Sequence, residues 1–109
     1  MSDDFNMLLE FCKNPIPDIK VSCLSFIKTL CQYRWAIESI QKTAGFVEYL
    51  LDRRIEFDKD ARFIKYKINE ILSNSSIFDG RTIVLLKKFV NEGPYYVEGI
   101  VDVAVEGGI

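Results

Sequence analysis

The longest uninterrupted helical pattern in the chain is DKDARFIKYKINEILSN, from Asp58 to Asn74. Ala61, Ile64, Ile68, Ile71 and Leu72 recur in it at helical spacing. They form a single apolar stripe, and a helix with one such stripe must pack it against another element. Asp58 is placed to cap the start, and the polar run Ser73-Asn74-Ser75-Ser76 ends it. The opposite face carries Lys59, Arg62, Tyr66, Asn69 and Ser73, also at helical spacing. This pattern commits the chain to helix-on-helix packing.

The rest of the chain reads the same way. Phe5, Leu8, Leu9 and Cys12 make an amphipathic helix over Asp4 to Lys13, broken by Asn14-Pro15-Ile16-Pro17. A second helix is expected from an Asp18 cap to about Gln32, with Ile19, Cys23, Phe26, Ile27 and Leu30 facing the core. Trp35, Ala36 and Ile40 mark a helix over Arg34 to Lys42, and Thr43-Ala44-Gly45 breaks it. Phe46, Val47, Leu50 and Leu51 mark another, to about Arg54, followed by a polar hinge around Glu56. After the Asp79-Gly80 turn, Ile83, Leu86, Phe89 and Val90 define a helix over Arg81 to Asn91. Gly93-Pro94 stops it, because glycine accepts the left-handed backbone beyond a helix end and proline bars re-entry. From residue 94 to 109 the chain is rich in β-branched residues and glycine, which predicts an extended tail draped over the helices or a partner.

A shift of 41 residues lays one part of the chain on another. Phe5 falls on Phe46, Leu9 on Leu50, Cys23 on Ile64, Ile27 on Ile68 and Leu30 on Ile71. The polar faces align too: Asp18, Val21, Ser25, Lys28 and Gln32 fall on Lys59, Arg62, Tyr66, Asn69 and Ser73. A period of ~40–47 residues with two or three helices is the pattern of armadillo and HEAT arrays, in which each unit buries its apolar face against the next. The expected fold is therefore an all-α solenoid fragment, about two and a half units over 1–93, with the tail at 94–109. Such arrays generally need at least three units, so the first helix is expected to expose a face that a preceding unit would cover.

Composition narrows the function. The net charge of -2 opposes nucleic-acid binding, and no apolar run is long enough to span a bilayer. The N-terminus is acidic, with no signal-peptide pattern, which leads to a cytoplasmic or nuclear expectation. The chain has no histidine, no Gly-rich phosphate loop and no C-x-x-C spacing. No cofactor, no metal and no catalysis are expected. Cys12, Cys23 and Cys31 lie in apolar helical patterns and read as small core residues.

Three stretches carry a family resemblance: GFVEYLLDRRIEFDKDARFIKYKINEIL from Gly45, EGPYYV over Glu92 to Val97, and AVEG over Ala104 to Gly107. From about Trp35 onward the chain resembles the C-terminal end of the 26S proteasome non-ATPase regulatory subunit five family. The resemblance implies a non-catalytic armadillo/HEAT-like chaperone of proteasome base assembly, which holds the C-terminal domain of an ATPase subunit. It also implies that only the last repeats of a several-fold longer family chain are present.

Three surfaces remain as binding candidates. Asp18, Ser25, Lys28 and Gln32 with Lys59, Arg62, Tyr66, Asn69 and Ser73 could line a groove; a solvated helix face is the plain alternative. Tyr95 and Tyr96 could anchor a partner or pack the tail onto the last helix. Arg53, Arg54, Lys59, Arg62 and Lys65 could meet a phosphate, but Glu48, Asp52, Glu56, Asp58 and Asp60 are interleaved with them, which favours surface ion pairing. The alternative function is a structural cap ending a longer solenoid, or an adaptor unrelated to the proteasome.

Overall fold

Helix boundaries follow the proline, glycine and capping signals closely. The structure is a computed structural model that describes residues 2–96. These hold six helices: α1 (Ser2–Cys12), α2 (Pro17–Leu30), α3 (Arg34–Lys42), α4 (Phe46–Leu51), α5 (Lys59–Ser73) and α6 (Gly80–Glu92). The described residues contain no strand, so the all-α expectation holds for them. The tail expectation falls outside the described residues from 97 onward.

Two cap assignments test the local reading. The Asp58 carboxylate accepts from the Ala61 N–H at 2.9 Å, as its position predicts. Asp79 does the same for α6 through the Thr82 N–H at 3.3 Å. Asp18, in contrast, is not a cap. Pro17 already occupies the first turn, and the N-cap is Ile16, which makes no side-chain cap bond. The predicted helix to Arg54 also ends early, at Leu51. Gly93 stands at φ +89° and ψ 171°, a region open essentially to glycine alone, so the α6 stop is a backbone requirement.

The helices pack in two rows. α5 lies between α2 and α6, its most extensive neighbours, while α1, α3 and α4 follow one another along the other side. Phe5 joins the second row, with its ring 6.4 Å from Trp35 edge-on and 6.2 Å from Phe46. Leu24, Ile27, Ile40, Phe46, Leu50, Ile68, Leu72 and Leu86 are fully buried between the rows. Each such side chain contributes about 1.5–3 kcal/mol relative to exposure.

The buried positions repeat more faithfully than the residue types. Phe5, Leu9, Lys20, Leu24, Ile27 and Cys31 are buried, and so are their counterparts Phe46, Leu50, Ala61, Lys65, Ile68 and Leu72, each 41 residues on. The helix faces, however, are turned from the expectation. In α2 Ile19 and Phe26 are exposed and Lys20 and Leu24 face inward. In α5 Ile64 and Ile71 lie at the edge of the core and Lys65 and Asn69 inside it. An element flanked on two sides and backed by a third buries a wider arc than its apolar stripe alone.

Replacing Asp58 by alanine should cost about 1 kcal/mol of unfolding free energy. Asp18→Ala should cost only a few tenths, about what a carboxylate near a helix N-terminus contributes through the dipole. Urea unfolding of the two variants checks the contrast.

Candidate interaction surface and the charge cluster beneath it

The candidate groove residues divide between surface and interior. Asp18, Ser25 and Lys28 are exposed on α2, Gln32 is exposed in the turn after it, and Lys59 is exposed at the start of α5. Arg62 and Tyr66 are half-buried. Asn69 and Ser73 are not on the outward face: both are buried, Asn69 completely. The outward side of α5 instead presents Phe63, whose ring lies 6.3 Å from that of Tyr66, beside the partly exposed Lys67 and Glu70. Phe57, just before α5, is the most exposed large apolar residue described, at 84%.

The polar residues turned inward have a common cause. A short helix ends in carbonyls without partners inside the helix, and buried carbonyls need donors. α4 has only six residues. Asn69 Nδ2 donates to the Leu50 carbonyl at 3.0 Å, and Lys65 Nζ donates to that of Asp52 at 2.9 Å. Arg53 closes α6 in the same way, donating to the Phe89 carbonyl at 2.8 Å and pairing with Glu92 at 3.4 Å. Its guanidinium stacks 3.7 Å from the Phe89 ring centroid. Asn69 Oδ1 has no hydrogen-bond partner among the described residues.

Glu56 is the centre of the arrangement. The expected polar hinge is in fact a buried carboxylate, its side chain 2% exposed. One oxygen, Oε1, is 2.6 Å from Lys20 Nζ of α2. The other, Oε2, is 3.3 Å from Lys65 Nζ of α5, a side chain equally buried. The Tyr49 hydroxyl of α4 sits 2.9 Å from Oε2 and 2.8 Å from the Cys12 carbonyl at the end of α1, with one proton to share between these acceptors. Lys65 Nζ also stands 4.2 Å from the Tyr49 ring centroid. Arg62 secures the same loop by donating to the Glu56 carbonyl at 2.6 Å. Burial lowers the Lys65 ammonium to about 8, with Glu56 acting in the opposite direction. Burial, reinforced by the Glu56 charge, pushes the Tyr49 phenol up.

The basic cluster thus separates into different roles. Arg54–Asp52 is the surface pair that was expected, at 3.3 Å. Lys65–Glu56 is an interior pair, and Arg53 is a helix-end clamp. A cavity of about 10 Å³ beside Arg53, Glu56 and Lys65 has room for a water molecule at most. Tyr96 lies 5.4 Å from the Arg53 guanidinium and Tyr95 5.6 Å from the Lys59 ammonium, measured to the ring centroids. Both rings therefore fold back toward the α4–α5 connection; Tyr95 remains exposed and Tyr96 half-buried. The sequence held one signal for the inward lysine: Lys65 is four residues after Ala61 and three before Ile68, squarely on the core stripe.

At the far end, α1 and α2 leave an apolar groove open. Leu8, Phe11, Ile19, Cys23 and Phe26 line it together with Ser22 and Asp18, which thus stands on this groove.

These observations define a chain that is all-helical over its described residues and whose interior polar groups serve the packing of its own helices. The family model described as proteasome non-ATPase 26S subunit matches residues 2–109, and the chain belongs to that family. It is 40% identical over 101 residues to the 26S proteasome non-ATPase regulatory subunit 5 of Drosophila melanogaster, covering 93% of this chain and 20% of that protein. The Bos taurus and Homo sapiens proteins of the same name are 32% and 31% identical over 109 residues, with 96% of this chain and 22% of each relative covered. The likeness thus extends through α1 and α2, before Trp35. The chain spans about a fifth of the length of these curated relatives. No solved structure matches it.

Glu56→Ala leaves Lys65 buried without its counter-charge, and should cost about 3–5 kcal/mol. Arg54→Ala, which removes an exposed partner, should stay within about 0.5 kcal/mol. In the Glu56→Ala protein the folded-state pKa of Lys65 falls below about 8, because the favourable Glu56 charge is gone. The unfolded state then binds the additional proton, so the unfolding free energy of Glu56→Ala should rise relative to that of the wild type as pH is raised from 7 toward 8. Urea titrations of both proteins check it as their difference, in which the titrations of the buried cysteines cancel; a difference that does not narrow contradicts the assignment.

Proposed function

We propose that this chain is a non-catalytic protein-binding module of a proteasome base-assembly chaperone, which holds an ATPase subunit by surface occlusion. Membership of the family of non-ATPase 26S subunits carries the reading. The architecture is consistent with it: stacked helices whose buried positions recur after 41 residues, as in an armadillo/HEAT-like solenoid, with adjacent faces of α2 and α5 available to a partner. The buried Glu56–Lys65–Tyr49 cluster resembles an acid–base site in composition only. Its groups are enclosed with one another and leave a substrate no access. The contact surface comprises Asp18, Ser25, Lys28, Gln32, Lys59, Tyr66 and Tyr95. Arg62 and Tyr96 act mainly from behind it.

No helix among the described residues is long and apolar enough to cross a membrane. We place the chain with proteasomes in the cytoplasm or nucleus.

The open α1–α2 groove favours a second role alongside the first, that of a terminal unit in a longer solenoid. Relatives about five times as long have the chain needed to supply a preceding helical unit over it.

Titrating the chain with isolated C-terminal domains of the base ATPases tests the main reading. Binding to one of them should weaken at least tenfold in a Lys59→Glu/Tyr66→Ala variant whose melting temperature is nearly unchanged. Failure of every ATPase domain to bind contradicts the reading. Equal loss of binding and stability removes the surface assignment.

A further inference from the structure

We propose that Cys12 and Cys23 form a peroxide-responsive thiol pair, in which Cys23 is the attacking sulfur and Cys12 the resolving one. Their sulfurs are 3.2 Å apart, Cys12 at the last residue of α1 and Cys23 in the middle of α2. A disulfide bond of ~2.05 Å requires them to approach by little more than about 1 Å. The two thiols are not equivalent. Cys12 is completely buried, while Cys23 is only half-buried and lines the apolar groove beside Leu8, Phe11 and Phe26. Cys12 donates its S–H to the Cys23 sulfur, and Cys23 donates its own S–H to the Leu8 carbonyl at 3.3 Å, a bond it gives up on becoming a thiolate. The bond from Cys12 lowers the Cys23 thiol against its burial, and the same bond together with burial raises Cys12. Exposure and thiolate character thus fall on one sulfur, as the first step requires.

The oxidant is a hydroperoxide. The Cys23 thiolate attacks the peroxide oxygen and breaks the O–O bond, giving Cys23 sulfenic acid and hydroxide, which takes up the proton Cys23 lost. The Cys12 sulfur then attacks the Cys23 sulfur, the S–O bond breaks, and the hydroxyl leaves as water with the Cys12 proton. Two thiols lose two electrons to form one disulfide, and one hydrogen peroxide becomes two waters. The product ties the end of α1 to α2 beneath the groove, so oxidation fixes the hairpin that frames it. Cys31 is an internal control: it is buried, and burial pushes its thiol up to about 12.

The test is hydrogen peroxide treatment of the folded chain, followed by alkylation in denaturant and peptide mapping without reductant. The expected result is a mass loss of two hydrogens, a Cys12–Cys23 linked peptide and full alkylation of Cys31. Cys31→Ser should form the same link at the same rate. Cys12→Ser should accumulate a Cys23 sulfenic acid that dimedone traps, and Cys23→Ser should leave Cys12 reduced. Cys23 should be consumed at least tenfold faster than Cys31 in the folded protein. A link to Cys31, links only between chains, or Cys23 and Cys31 consumed alike would overturn the proposal. The wild-type and Cys31→Ser maps decide even if Cys12→Ser does not fold.

Discussion

The carboxylate of Glu56 is the point on which the helix packing converges. It draws Lys20 from α2 and Lys65 from α5 onto its two oxygens, and Tyr49 bridges it to the end of α1. Four helices meet at one buried negative charge. A buried ion pair is not in itself a source of stability, because removing charges from water can cost as much as their attraction returns. Its effect is conditional. Once Glu56 is interior, each partner must be present and correctly placed, which couples the positions of α1, α2, α4 and α5.

Forty-one residues before Tyr49, Glu56 and Lys65 stand Leu8, Pro15 and Leu24. The buried polar cluster thus has an apolar set at the positions 41 residues earlier. Lys20 of α2 reaches the Glu56 carboxylate from 36 residues away in the chain, which gives that contact a defined geometry. The groove between α1 and α2, with Cys23 on it and Cys12 beneath, is lined mainly by apolar side chains whose contacts are non-directional.

Most helix positions were legible in the chain, because proline, glycine and capping residues act locally. Asp58 and Gly93 do what their positions foretell, and Asp79, read as part of a turn, caps α6. Which face each helix buries was less legible. An apolar stripe gives the centre of the buried arc, but its width depends on how many neighbours the helix has. α5 has neighbours on two sides and α4 behind it, so Asn69 and Ser73 passed from an apparent polar face into the interior. The Cys12–Cys23 pair left no mark in spacing at all, since eleven residues and a two-proline break separate them.

By itself the sequence determined an all-helical chain over its described part, the places where helices start and stop, a 41-residue period and a family likeness. Each follows from local sterics, hydrogen-bond capping or pattern, which need no knowledge of distant neighbours. Only the tertiary structure decided that Glu56 and Lys65 are interior, that Asn69 serves the end of α4, and that two thiols touch. The physical reason is that burial of a polar group depends on the partner waiting for it. Here the partners are unpaired carbonyls at the ends of α1 and α4, and counter-charges on helices far away in the chain.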